Sequence, residues 1–130
     1  LEYAELEVKL NPTLEFGYFV RGEANKGLKK WLDSTKNYEK AISINGKYVE
    51  ALLGLAYIKF KQNFFDEARE LLLRAKKREE GNPEIHKQLG YVYRSSGQSG
   101  LAVESFETYL QIYPNAPDRG QVEALVKELR

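Results

Sequence analysis

Apolar side chains return along the chain at three- and four-residue steps, the spacing of one helical face, and not at the steps of two that mark a strand. The reading is helical throughout, over about residues 1–10, 14–27, 30–45, 48–61, 64–79, 83–96, 99–112 and 117–130. Helix breakers fall between these stretches at Asn11-Pro12, Asn45-Gly46, Gly81-Asn82-Pro83 and Pro114-Asn115-Ala116-Pro117. Shorter polar turns, Gln62-Asn63 and Ser95-Ser96-Gly97-Gln98, separate helices within a pair. The last stretch carries Val122, Leu125, Val126 and Leu129 on one side. Asp118, Arg119, Glu123, Lys127 and Arg130 stand on the other, the pattern of a helix that seals an apolar core from water.

A period of 34 residues underlies the pattern. Gly22, Ala56 and Gly90 are all small, as are Ser34, Ala68 and Ala102, whereas Tyr38, Leu72 and Phe106 are all large. Antiparallel helices need small residues where their backbones approach and a large one where the gap must be filled. The columns therefore predict helix pairs, with the first small column on the first helix of each pair and the second opposite it. An ordinary helical bundle would produce these columns only by coincidence.

The stretch from Pro83 to Pro114, with Leu89, Gly90, Tyr93, Ala102, Phe106 and Pro114, resembles one complete tetratricopeptide repeat; His86 stands where that family usually has tryptophan. Val49 to Asn82 keeps Leu52, Leu55, Ala56, Ala68, Leu72 and Ala75 but departs at Lys59 and Glu80. Glu15 to Tyr48 keeps Tyr18, Gly22, Tyr38, Ala41 and Ile42, with Asn25 and Ser34 as departures. The resemblance implies an all-α, right-handed superhelical array of antiparallel helix pairs. Residues 1–14 would be the second-helix remnant of a preceding repeat, 15–48, 49–82 and 83–116 the three repeats, and 117–130 a capping helix. A chain that starts in mid-repeat, at Leu1 and without methionine, reads as a piece of a longer array, and its N-terminal edge is a candidate contact between copies.

Composition removes several functions. Twenty basic and nineteen acidic side chains leave a net charge of +1, without the basic excess of a dedicated nucleic-acid binder. No apolar run approaches the roughly 18 residues of a membrane span. Without cysteine there is no disulfide, thiolate metal site or thiol nucleophile. His86 is the single histidine, so a histidine pair for zinc or a proton relay is excluded, and a structural role is expected for it. The glycines follow no strand and form no phosphate loop. The run Lys76-Lys77-Arg78-Glu79-Glu80 reads as a solvated helix end whose cations complement the helix dipole. Neither a cofactor nor a catalytic group is expected.

What remains is binding. The resemblance implies a groove lined by the first helix of each pair. Carried over by position, the groove residues are Phe19, Glu23 and Lys26, then Leu53, Tyr57, Phe60 and Lys61, then Lys87, Gln88, Tyr91 and Arg94. Gly54 and Glu84 fall at groove positions too. Tyr57 and Tyr91 form one ladder at the repeat spacing, Lys26, Phe60 and Arg94 another, and Phe19, Leu53 and Lys87 a third. Phe60 reads equally well as core. Aromatic anchors among a few cations suit a peptide or helix of a protein partner. Some domains of this family clamp the C-terminal carboxylate of heat-shock chaperones with lysine, asparagine and arginine. Here those positions hold Phe19, Glu23, Gly54, Glu84 and Gln88, so that clamp is absent. The segment Tyr113-Pro114-Asn115-Ala116-Pro117-Asp118 with its amphipathic helix is similar to bacterial repeat proteins, some of which assemble pili or secretion machines in the envelope. That likeness suggests a role in the bacterial cytoplasm or periplasm.

Overall fold

A computed structural model describes residues 14–130. The expected helix over residues 1–10 and the N-terminal edge lie outside the described residues. The described helices are α1 (Leu14–Gly27), α2 (Trp31–Ile44), α3 (Val49–Lys61), α4 (Phe65–Arg78), α5 (Pro83–Ser95), α6 (Ser99–Ile112) and α7 (Arg119–Leu129), and no described residue is in a strand. They belong to two compact units, Leu1–Arg78 and Glu79–Arg130.

Three helix ends share one backbone device. Lys29, Asn63 and Gly97, spaced at the repeat period, have φ of 59°, 66° and 79°. After each, the next amide reaches back to close the helix: Lys30 N–H donates to Asn25 O at 2.8 Å, Phe64 N–H to Lys59 O at 2.8 Å, and Gln98 N–H to Tyr93 O at 2.8 Å. A second bond inside each turn runs from Lys29 to Lys26, Asn63 to Phe60 and Gly97 to Arg94. This paired pattern around a left-handed residue satisfies carbonyls that the helix end would otherwise leave bare, and it turns the chain tightly enough for the next helix to pack antiparallel. Glycine and asparagine tolerate that conformation; a lysine is uncommon there.

In the first unit, α1 packs on α2 and α3 on α4, with α3 also against α1 and α2. Lying among three neighbours, α3 buries Val49, Ala51, Leu52, Gly54, Leu55, Ala56 and Ile58. The small columns meet as expected: Ser34 Oγ donates to Gly22 O at 2.7 Å. Tyr38 is wholly buried, with its ring in a slot between two helices. A Cβ on Gly22 would come within 2.8 Å of that ring, and one on Gly54 within 2.4 Å of Tyr38 Cζ. Gly54 is therefore not a groove residue, as its register suggested: the tyrosine occupies the space a side chain would need. The Tyr38 hydroxyl donates to Glu23, which satisfies its one polar atom.

In the second unit, Asn82 caps α5 by accepting the Glu84 amide at 3.0 Å, and Pro83 takes the first helical position. His86 is buried and its Nε2–H donates to Glu80 O at 2.6 Å, closing the preceding turn, which is the structural part expected of it. Phe106 is wholly buried against Gly90, where a Cβ would stand 2.5 Å from the ring. Helix α7 covers α6: Val122 joins Ala102, Phe106, Tyr109 and Ala116 in one buried cluster, with Leu125, Val126 and Leu129 packed against it. The sequence placed Asp118 on the solvent side. The structure corrects this. Asp118 precedes the helix, and the turn after Pro117 aims its carboxylate inward.

Candidate ligand-binding face

In the first unit the packing of α3 against α1 brings two cations to one exposed ring. Tyr57, 37% exposed, has Lys26 Nζ at 5.4 Å and Lys61 Nζ at 5.5 Å from its ring centroid. Lys61 lies one turn along α3 from Tyr57, and Lys26 reaches over from α1. An ammonium at that distance is attracted by the ring face. Lys26 is also held by Glu23 at 3.1 Å, the same carboxylate that accepts the Tyr38 hydroxyl. Buried tyrosine, carboxylate, ammonium and exposed ring thus form one connected row. Burial first, and then the neighbouring Glu23, push the Tyr38 hydroxyl above its ordinary range, so it stays a donor.

The other expected residues of this unit are less free. Phe19 is half-buried, its ring 6.2 Å from that of Tyr38 and 5.3 Å from that of Tyr48. Burial, then Glu50 and Glu15, raise the Tyr48 hydroxyl to about 12. Leu53 is half-buried, as is Phe60, whose ring packs 5.8 Å from that of Phe65 on α4.

In the second unit Lys87, Gln88, Tyr91 and Arg94 follow one another along α5. Lys87 is tied to the cap, with its Nζ 2.8 Å from Asp118 Oδ2. Asp118 Oδ1 accepts the Tyr109 hydroxyl at 2.6 Å. Burial alone would raise the Asp118 carboxyl, but the bonds from Lys87 and Tyr109 outweigh it and hold the carboxyl below its ordinary value. The bond to Asp118 in turn raises Lys87. Burial, and then Asp118, raise the Tyr109 hydroxyl. Tyr91 is half-buried, its edge set against Phe106 at 5.1 Å and 82°. Gln88 touches Glu84 at 3.5 Å, and Arg94 is exposed. The sequence reading missed the clasp of Lys87, Asp118 and Tyr109. Its one signal was an acidic residue immediately before a helix that begins after a proline.

Among the described residues no group of three or more histidine, cysteine, aspartate or glutamate side chains could hold a metal ion. No described helix is long and apolar enough to cross a membrane.

Antiparallel helix pairs closed by the same left-handed turn, with a small-to-large contact inside the first and the third, define a class of helical repeat. Two family models described as tetratricopeptide repeat match the chain, one over residues 29–90 and the other over 84–116. The chain belongs to the tetratricopeptide repeat family, and its fold is the all-α solenoid of that family. Among solved structures it is similar to the Arabidopsis OM64 TPR domain (TM-score 0.80, 19% identity, covering 99% of this chain and 95% of that one). It is also similar to the first TPR of Spaghetti (RPAP3) bound to the HSP90 peptide SRMEEVD (TM-score 0.82, 14% identity, 88% and 92% covered). A third is PcrH in complex with the chaperone binding region of PopD (TM-score 0.78, 13% identity, 86% and 87% covered). Comparison with curated protein sequences finds no match.

Proposed function

We propose that this chain is a non-catalytic scaffold that holds a peptide or helix of a protein partner on the first helix of a pair, with Tyr57 the anchor in the first unit and Tyr91 its counterpart in the second. The observation that carries this reading is the exposed Tyr57 ring with Lys26 and Lys61 beside it. A rigid aromatic supplies contact area at small entropic cost, and the flanking ammoniums select an acidic group next to an apolar one. The ligand is therefore an acidic-apolar segment. In the first unit Leu53 and Phe19 extend the apolar surface, and in the second Gln88 and Arg94 offer a polar one. Lys87 is already engaged by Asp118, so it contributes less. Two of the similar structures carry peptide ligands, an HSP90 peptide on one and a region of PopD on the other, and this supports a peptide ligand here. The chaperone-tail clamp is not part of the reading, since Phe19, Glu23, Gly54, Glu84 and Gln88 replace its residues.

The test is a random peptide display selected on the full chain, with the enriched peptides titrated by fluorescence anisotropy. Enriched sequences should combine acidic and large apolar residues, and Tyr57→Ala should weaken them at least about tenfold. Peptides that bind Tyr57→Ala and Lys61→Ala as well as the parent would overturn the reading.

A further inference from the structure

The turn joining α1 to α2 differs from its two counterparts in what it shows to water. At the positions of Leu28 and Leu32, the second repeat has Gln62 and Asp66 and the third has Ser96 and Gly100. Leu28 is 59% exposed and Leu32 68% exposed, more than any other large apolar side chain described. Lys29 and Lys30 lie between them, and neither has an ion-pair partner among the described residues. Lys29 also holds the left-handed conformation that asparagine and glycine take at the other two turns. The two exposed leucines leave apolar surface in water at this turn and the start of α2, and with the two lysines they form a basic, apolar knob.

The same unit carries a surface of opposite character. Helices α2, α3 and α4 line an open cleft of about 550 Å³. Ile42, Leu55 and Leu71 line its apolar part, and Glu39, Asp66, Glu67 and Glu70 its acidic part. The two cations in its wall are already engaged: Lys59 pairs with Glu67 at 3.0 Å, and Arg74 Nη2 donates to Gly46 O at 3.1 Å. Arg69 is shared by Asp66 and Glu70, which leaves Glu39 without an ion-pair partner among the described residues.

We propose that the Leu28–Leu32 turn of one copy of this chain docks in the cleft between α2, α3 and α4 of a second copy. Leu28 and Leu32 cover Ile42, Leu55 and Leu71, and Lys29 and Lys30 meet Glu39 and the carboxylates beside it. Charge complementarity selects this occupant: Lys29 and Lys30 stand between the leucines of the knob, Glu39 borders the apolar cleft, and none of the three has an ion-pair partner among the described residues. Because knob and cleft are different surfaces, the contact is head-to-tail, and each added copy leaves one of each surface open. It uses none of the residues proposed to hold a peptide.

Sedimentation velocity of the full chain from micromolar to about 1 mM should show mass rising beyond the monomer, less so at high salt. Leu28→Ser with Leu32→Ser, and separately Glu39→Lys with Glu70→Lys, should each remain monomeric. Mixed together, the two variants should form a one-to-one complex that grows no further, because one intact knob meets one intact cleft. Lys29→Gly, which suits the turn and cannot disturb it, should weaken association severalfold at low salt. Tyr57→Ala should leave association unchanged, so failure here is distinguishable from failure of the peptide reading. A parent chain monomeric at the highest concentration overturns the proposal, as does a mixture that fails to combine. So does binding of the turn to phosphatidylserine vesicles, lost in the leucine variant, with no self-association.

Discussion

The same joint is built twice, once in each unit, with one atom of difference. In the first unit Tyr38 fills the gap behind Gly22; in the second Phe106 fills the gap behind Gly90. The tyrosine carries a hydroxyl. The oxygen needs a partner in a dry place, and Glu23 supplies it. The ring also needs room at its far end, and Gly54 supplies that, since a Cβ there would lie 2.4 Å from Tyr38 Cζ and 2.7 Å from its Cε1 and its oxygen. Phenylalanine has no oxygen to satisfy. Val122 follows Phe106 at the same interval as Gly54 follows Tyr38, and it is a full-sized side chain wholly buried in the same cluster as the ring. The hydroxyl thus sets the two joints apart in polarity. It also makes the first joint part of a row that reaches the exposed Tyr57, whereas the second joint ends in apolar packing.

The largest effect that can break this comparison is removal of a ring. Phe106→Ala should destabilise the chain by about 3–5 kcal/mol in urea unfolding followed by circular dichroism. A loss below about 1 kcal/mol would mean that the joint closes without its filler. Next comes transplanting the wall of one joint into the other. Gly54→Val should cost on the order of 3 kcal/mol, because the new side chain overlaps a buried ring. If it is tolerated, the ring does not set the size of the facing residue.

A smaller loss, about 2 kcal/mol, is expected for Asp118→Ala, which leaves Lys87 and the Tyr109 hydroxyl without their acceptor. The sign with pH follows from the lowered carboxyl. Its contribution is complete above the ordinary carboxylate value of about 3.9 and is lost as pH falls through the folded-state value. Hydrogen exchange in acid should therefore open α7 sooner in the parent than at neutral pH, and the variant should show no such acid step.

The smallest effect is expected for Tyr38→Phe, about 1 kcal/mol, since Glu23 is exposed enough to regain water. Its value is diagnostic. A raised tyrosine stabilises fully below its unfolded value of about 10 and loses that contribution as pH rises through the folded one. The variant should lose less stability than the parent above pH ~10, as followed by unfolding at alkaline pH.

The helices and the small-to-large columns were legible in the sequence because each is a local period enforced by packing. Three features were not. Lys29 sits in register with Asn63 and Gly97, yet nothing about a lysine announces a positive φ. Gly54 was assigned to the groove by position within the repeat; its true constraint is the reach of a tyrosine on another helix. Asp118 looked solvent-facing on a helical projection that does not hold for a residue lying ahead of the helix. Of the site, Lys26 and Tyr57 were each nominated from the repeat spacing, in separate ladders, whereas the approach of one to the other depends on how α3 packs on α1. The capture of Lys87 by the cap depends on the path of a proline-rich turn, which spacing does not encode.

The three turns also carry a stereochemical consequence. At residues 29, 63 and 97 the backbone takes a conformation native to amino acids of the opposite hand. The chain meets this demand with an achiral residue at Gly97 and with a short amide at Asn63, while at Lys29 an ordinary L-residue bears the mismatch. Each repeat therefore contains one point at which handedness is locally reversed, and a mirror-image lysine at position 29 would relax the turn while presenting the same ammonium.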